Sequence, residues 1–526
     1  MESRQSRKIK IFYPFLFALY PVLFLFSHNI EEVRFSVIWL PAASCLVLTT
    51  LIWIAARLTL RDNVKAGLLT FLLAFMIFSY GHFYNLVAGF AVRKLKTPVP
   101  VLVLVWIFLF GLLGYLAVKT KKELLALSLF LNVMASLLVI FAIAQIAGAY
   151  LSTSPSPRVE SPAQEPITLS PRTGLGKGEL PDVYYLIFDR YAGERTLQEY
   201  YSFDNRDFLS DLKSRGFYVA ARSRCNYPQT YFSLASSLNM TYLSYLVERG
   251  PVKKRVIYGM LQDYKVWRLL KTAGYRFVHF GSWYEGTKVN RHADLNFEGG
   301  SLFDFSHDFE QKLIEATILR HIFKDRLLPS TERDRILKTF ANLAGIPEIK
   351  GPKFVFLHML LPHHPFLFGP GGEATKGIAG PSESQADRYI DQLRFTSKKI
   401  IWLIDHLIAR SASPPVIILQ SDEGPAEEEK PSPEIRKYPK KYREIINWRV
   451  RCEILNAFYW PGVGHNNFYE TMTPVNTFRL FFNLYFGTKY PLLEDKTFIA
   501  VGTKSGVLRF QEFPPAYWTK EIKKPQ

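Results

Sequence analysis

Cysteine is scarce in this chain: Cys45, Cys225 and Cys452 are the three present in 526 residues. That excludes a disulfide framework and any cysteine-rich zinc site. Cys225 and Cys452 suit a single bridge in an oxidising compartment and equally suit two unpaired, half-buried thiols. Acidic residues are also short, with 46 Asp and Glu against 65 Lys and Arg, a formal net charge of +19. The charge is not spread evenly, because the N-terminal third is almost entirely apolar.

Within that third, five apolar segments run from Ile11 to Phe26, Phe35 to Ala56, Ala66 to Phe90, Val99 to Val118 and Leu124 to Ala149. Most reach the roughly 20 residues that cross a bilayer. The first has a basic lead-in (Arg4, Arg7, Lys8, Lys10) like a signal peptide, but no small-residue cleavage site follows and four more segments do. With a cytoplasmic N-terminus, Arg57, Arg61, Lys65, Lys119, Lys121 and Lys122 join those four inside, against Arg34, Arg93, Lys94 and Lys96 outside. Basic residues favour the inner side. Five spans then deliver everything after Tyr150 to the far side, as in an integral protein of a bacterial-type inner membrane with an extracytoplasmic domain. His82, Asn85 and Asn132 read as helix-to-helix hydrogen-bonding groups, with a headgroup or substrate path as the other reading.

Residues 151–180 turn to Ser, Pro, Gly and Thr, a linker between a transmembrane domain (1–150) and a soluble one (181–517), with a basic tail at 518–526. In the soluble part, short apolar runs at Val183–Phe188, Phe217–Ala220, Tyr275–Phe280, Phe354–Met359, Val416–Leu419 and Asn456–Trp460 predict strands. Helical patterns fall at Asn205–Arg215, Lys265–Ala273, Glu315–Leu328, Asp391–Arg410 and Pro474–Phe486. This alternation predicts an α/β domain with a mostly parallel sheet covered by helices.

Such sheets bind ligands at the carboxyl ends of their strands. Asp189 closes the first strand. The fourth runs on into Pro362-His363-His364-Pro365, and the fifth into Ser421-Asp422-Glu423-Gly424. Thr230 follows Asn226-Tyr227-Pro228-Gln229 and precedes a helix-like run, which sets its hydroxyl at a helix N-terminus beside unpaired N–H groups. Taken singly, Thr230 is an ordinary helix cap and Asp189 a turn residue. Asp422 and Glu423 together are harder to dismiss, because a turn needs one of them.

The order of an acid at a strand end, a Thr at a helix start, a strand followed by His-Pro, and an Asp-led pair before Gly resembles the alkaline phosphatase superfamily. Within it the chain is most similar to the sulfatase-like branch that includes lipoteichoic acid synthases and lipid A phosphoethanolamine transferases, with five N-terminal spans and an extracytoplasmic catalytic domain. The resemblance covers nearly the whole chain, and its motifs lie between Pro181 and Pro425. It implies Asp189, Thr230 and Asp422 as ligands of one divalent metal, Thr230 as nucleophile, and His363 as the group that contacts phosphate or protonates the leaving oxygen.

Glu423 departs from the pattern, where His is usual. Taken as a fourth ligand it gives an all-oxygen set, favouring manganese or magnesium over zinc, with calcium also suited. It also adds negative charge that Arg190, His363 or a nearby Lys would have to offset. The expectation is a phosphotransferase or phosphohydrolase that acts through phospho-Thr230. Its phosphate donor would be a lipid or lipid-linked, its acceptor a glycan or lipid, and no nucleic acid would be involved. The alternatives are a catalytically silent binder or scaffold and, less well, a sulfate-ester hydrolase, whose nucleophile is a modified Cys or Ser. His465, in a Gly-rich turn, and Arg190 are further candidates for substrate binding. His358 and His364 read as packed or solvent-facing, and the basic stretch Lys430–Arg451 reads as a solvated loop or a lipid-steering patch.

Overall fold

The computed structural model describes residues 10–30, 33, 35–91, 99–121, 124–151, 169, 180–248, 254–297, 308–322, 328–375, 384–426, 435–502, 508–520 and 522. Most of the 151–180 linker and of the tail lies outside them, as do Arg4, Arg7, Lys8, Arg34, Arg93, Lys94, Lys96 and Lys122. The chain divides into two units: Met1–Pro157 with Asp304–Leu328, and Arg158–Phe303 with Pro329–Gln526.

In the first unit, apolar sequence becomes helix wherever the run is long. These helices are α1 (Tyr13–His28), α2 (Trp39–Leu60), α3 (Asn63–Ala91), α4 (Val99–Lys119) and α5 (Leu125–Leu151). Among the described residues, four are long and apolar enough to cross a membrane. The expected first span is instead a helix of 16 residues, shorter than the roughly 20 a bilayer requires. Asn132 on α5 makes the inter-helix contact read from sequence. Its Oδ1 accepts from the Phe12 and Tyr13 amides at 3.2 and 3.0 Å, and its Nδ2 donates to Lys10 O at 2.9 Å. One side chain thereby satisfies amides that α1 leaves open at its start.

Residues 304–328, read from sequence as part of the soluble domain, group with this first unit. The continuous helix expected over Glu315–Leu328 is not formed among the described residues. A helix runs from Asp308 to Glu315 and a short turn from Arg320 to Ile322. The reason is backbone competition: Gly81 N–H of α3 donates to Ala316 O at 2.9 Å, and Ile318 N–H donates to Ile77 O at 3.1 Å. Phe309 and Leu313 pack with Val22, Leu23 and Phe26 of α1.

The second unit is built on a seven-stranded sheet. Its strands are β1 (Val183–Phe188), β2 (Tyr218–Val219), β3 (Arg276–Phe280), β4 (Leu295–Phe297), β5 (Lys353–Met359), β6 (Val416–Gln420) and β7 (Asn456–Tyr459), in the order β2-β7-β6-β1-β5-β3-β4. From β6 to β4 the pairings are parallel, while β7 runs antiparallel to β6 and β2. A separate hairpin joins β8 (Phe498–Gly502) to β9 (Leu508–Glu512).

β1 is central, and all six of its residues are buried. Successive side chains go to opposite faces. Tyr185 and Ile187 join a layer with Leu234, Leu238 and Phe478, whereas Tyr184, Leu186 and Phe188 join one with Phe340, Leu393 and Ile404. At roughly 1.5–3 kcal/mol for each large side chain buried, this strand fixes the place where Asp189 leaves it. The predicted helix at Asp391–Arg410 begins earlier, at Gln385, because Ser384 and Asp387 form a capping box ahead of it. Part of the basic stretch read as a loop is the helix Lys440–Cys452, with Arg449 and Arg451 turned inward.

Candidate active site at the carboxyl edge of the sheet

Asp189 follows β1, His358 lies in β5, and Asp422 follows β6, so three adjacent parallel strands supply the three side chains. One ligand atom from each lies within 4.8 Å of the others. His358 Nε2 is 3.9 Å from Asp189 Oδ2 and 4.0 Å from Asp422 Oδ2, and His363 Nε2 is 4.0 Å from Asp189 Oδ2. The other nitrogen of His358, Nδ1, sits 2.7 Å from Thr287 Oγ1, which fixes the ring with Nε2 toward the carboxylates. Imidazoles that hold metals are oriented this way.

Burial makes the group electrostatically costly. Asp189, Asp422 and His358 are 2%, 1% and 1% exposed. Asp189 Oδ1, both Asp422 carboxylate oxygens, His358 Nε2 and Glu423 Oε2 have no hydrogen-bond partner among the described residues. Burial, with Asp422 and Glu423 nearby, pushes the Asp189 carboxyl well above the usual carboxylate range. Burial likewise lowers His358 to about 4. Orphaned acceptors of this kind, gathered at one point, are what a cation would satisfy, so the residues fit a metal.

Glu423 is placed differently from the ligand role expected of it. Its Oε1 lies 2.7 Å from Arg451 Nη2 and 3.5 Å from Arg190 Nε. Burial raises its carboxyl to about 7, with Arg451 opposing. It is not in the three-residue group. The added negative charge is therefore met by two guanidinium groups, and the third strand-end donor is an imidazole, His358, that reads from sequence as packed or solvent-facing.

Thr230 heads the helix Thr230–Asn239, with Gln229 as its cap residue, and is half-buried. Ser233, in the same turn, donates its hydroxyl to Asp422 O at 2.7 Å, and Arg451 Nη2 donates to Pro228 O at 2.8 Å. The start of this helix is thus tied to the residue that ends β6. Arg190, with φ of 64°, places Nη1 3.2 Å from His364 Nδ1. His364 stacks on His363 at 4.5 Å between ring centres.

The Pro-His-His-Pro turn is held by Gln392, which is fully buried. Its Nε2 donates to His363 O at 2.8 Å and Pro362 O at 3.2 Å, and its Oε1 accepts from Leu367 N–H at 2.6 Å. His465 is not brought to this edge. It is exposed and bonds to Gly216 O at 3.2 Å beside β2. Cys225 and Cys452 are both fully buried and unbridged, with the Cys225 amide donating to Cys452 O at 2.9 Å.

No family model matches the chain, and no curated protein does. Solved structures similar in chain path include the following three. The C-terminal periplasmic domain of EptC from Escherichia coli is 13% identical over 66% of this chain and 96% of its own, with a TM-score of 0.43. The lipoteichoic acid synthase LtaP from Listeria monocytogenes is 13% identical over 63% and 81%, at 0.39. The lipooligosaccharide phosphoethanolamine transferase EptA from Neisseria meningitidis, an integral membrane protein, is 14% identical over 86% and 88%, at 0.36. Likeness at this distance lends no weight to a function, which must come from the residues.

Three residues at this edge have no part in the site as read from sequence: His358 reads as packed or solvent-facing, Arg451 as part of a basic stretch, and Gln392 is not singled out. His358 carried a usable signal, a polar residue inside the otherwise apolar run Phe354–Met359. Gln392 and Arg451 carried none, since each is defined by partners far away in sequence.

Proposed function

We propose that this chain is a membrane-anchored, metal-dependent phosphotransferase or phosphohydrolase of the sulfatase-like kind, with five spans, the short apolar helix Tyr13–His28 counted as the first, a cytoplasmic N-terminus and an extracytoplasmic catalytic domain. Its substrate is an envelope lipid or glycan, with a lipid or lipid-linked phosphate donor and a glycan or lipid acceptor. The observation that carries this is the convergence of Asp189, His358 and Asp422 from three strand ends, with the Thr230 helix bonded to the last of them.

Asp189, Asp422 and His358, with the Thr230 hydroxyl, would hold one divalent ion. With an imidazole in the set, the ground for preferring magnesium over zinc disappears, and manganese or zinc suits the mixed nitrogen and oxygen donors better than calcium. Bound there, such an ion lowers the pKa of a hydroxyl and neutralises charge on phosphate oxygens. The Thr230 hydroxyl releases its proton to solvent, its oxygen forms a bond to phosphorus, and the bond from phosphorus to the leaving oxygen breaks. His363 supplies the leaving oxygen with a proton. Amides at the start of the Thr230 helix favour the anionic group transferred. The oxygen of a water or an acceptor hydroxyl then bonds to phosphorus as the bond from phosphorus to Thr230 breaks; the same histidine accepts the attacking oxygen's proton, and the Thr230 oxygen takes a proton back from solvent. Glu423, neutralised by Arg451 and Arg190, removes the main ground for a silent binder.

The test is metal content and phosphodiester turnover of the full chain in detergent, beside Thr230→Ala and Asp422→Asn. One equivalent of metal, turnover lost in both variants, and a phosphate adduct on Thr230 in the trapped wild type are expected. A chain that folds but holds no metal and turns over nothing sinks the reading.

A further inference from the structure

Arg320 belongs to the segment that groups with the first unit, and it is half-buried against α3. Its guanidinium carbon lies 4.5 Å over the Tyr84 ring. Nη1 donates to Asn85 Oδ1 at 3.1 Å and to Gly81 O at 3.5 Å. Those partners are a ring, an amide and a carbonyl, and among the described residues no carboxylate pairs with it. Its Nε and Nη2 make no hydrogen bond to the described residues. The neighbouring His321 is fixed too, with Nε2 3.0 Å from the Tyr80 hydroxyl.

Where this charge sits along α3 decides what can answer it. Lys65, in the first turn of α3, donates Nζ to Val118 O and Thr120 O at 2.7 and 2.9 Å, at the end of α4. Asn85 is about twenty residues further along the same helix. At about 1.5 Å per residue this separates the two by about 30 Å, the thickness of the hydrocarbon core. If Lys65 marks one headgroup layer, Arg320 stands in the other. The aromatic residues around it fit that level: Phe83 stacks on Trp106 at 4.4 Å, and rings of this type gather at membrane interfaces.

A guanidinium held on one edge by protein groups, open on the other and lacking a counter-charge suits a bidentate oxyanion. In a headgroup layer the abundant oxyanion is phosphate. We propose that Arg320, with Asn85 and Tyr84, binds the headgroup phosphate of a bilayer phospholipid in the leaflet opposite Lys65. The two backbone bonds from residues 316 and 318 to α3 hold the arginine at that depth. The residues of this site all belong to the first unit, and the proposal does not depend on the reaction assigned to the carboxylate group of the sheet.

The test is a native mass-spectrometry titration of the full chain, in a mild nonionic detergent, with dihexanoyl phosphatidylglycerol. Inorganic phosphate and dihexanoylglycerol form separate arms. One bound phospholipid is expected on the wild type, weakened about tenfold or more in Arg320→Gln, the loss of one charge-assisted contact. Arg320→Lys should fall between the two. Asn85→Leu, at an exposed position, removes the brace without touching the charge and should weaken binding a few-fold while leaving the unfolding midpoint in place. Equal lipid binding by wild type and Arg320→Gln overturns the proposal. So does inorganic phosphate binding as well as the lipid, which would make the site one for free phosphate, or dihexanoylglycerol binding equally, which would make it apolar.

Discussion

Glu423 Oε1 and Arg451 Nη2 meet at 2.7 Å directly behind Asp422, with both side chains largely buried. Arg451 also donates Nη1 to Gly424 O at 3.0 Å and Nη2 to Pro228 O at 2.8 Å. One guanidinium therefore fastens the turn after β6 to the loop that leads into Thr230. Removing it leaves a buried carboxylate without its main counter-charge, a change that costs roughly 3–5 kcal/mol. Arg451→Met should lower the unfolding midpoint sharply and cut turnover. The double variant Arg451→Met, Glu423→Leu should recover much of the midpoint without recovering turnover, because the charge problem is gone but the tie to Pro228 is not restored. A double variant that regains both would show that the pair acts on stability alone.

Asp422 should behave in the opposite sense when metal is withheld. Among the described residues neither of its buried carboxylate oxygens has a hydrogen-bond partner, and it lies beside Asp189, whose carboxyl is held high by burial and by Asp422 itself. In chelator-treated protein, Asp422→Asn should raise the unfolding midpoint, since it removes a like charge. Added manganese or zinc at about a hundred times its dissociation constant should stabilise the wild type by about 2.7 kcal/mol, and the variant hardly at all. Calorimetric scans with and without each metal check this. A variant stabilised as much as the wild type would remove Asp422 from the ligand set.

The contrast between these side chains shows what a sequence can disclose. Val183–Phe188 and Val416–Leu419 are legible as buried parallel strands because six and four apolar residues in a row have few other uses, and the acids that follow them inherit a position. His358 sits inside such a run, where a histidine packed in the core and one aimed at a site look alike in sequence. Arg451 looked like one of many surface cations, and only its distance to Pro228 and Glu423 separates it from the rest. The segment around residue 315 has helical spacing, but spacing does not say which surface will cover the apolar side. Here α1 and α3 cover it, and the α3 backbone interrupts the helix at Ala316.

His279 gives the fold a pH dependence of its own. It is buried on β3, its ring stacks 5.2 Å from that of Phe356, and Nε2 lies 2.8 Å from Thr287 O. Burial lowers it to about 4, with the Thr287 bond opposing. The unfolded chain takes up a proton near pH 6.5 and the folded one near 4, so protonation favours unfolding. The stability this neutral histidine permits is complete above about pH 6.5 and is lost as pH falls toward 4, by roughly 3 kcal/mol in all. His279→Gln should flatten that part of the midpoint-against-pH curve. An unchanged slope between pH 6.5 and 4 would mean the ring is protonated within the fold.

Gly81 tests whether the segment at residues 315–318 is seated on α3 as described. A Cβ at this position would lie 2.3 Å from Glu315 O and 2.6 Å from Ala316 Cα. Both obstacles are backbone, so no side chain can swing away to make room. Helix propensity alone favours Ala over Gly by about 1 kcal/mol, and in an isolated α3 Gly81→Ala would be a gain. In the intact chain the contact must open, which takes with it the bonds from Gly81 to Ala316 and from Ile318 to Ile77. The variant should then be cut faster by trypsin after Lys312, which is exposed, and after Arg320, which is held against Tyr84. Faster cleavage at Arg320 is the more telling result, because that bond is guarded by the seating itself. Cleavage at the wild-type rate at both sites, with a higher unfolding midpoint, would show that propensity wins and that the segment is not locked to this helix.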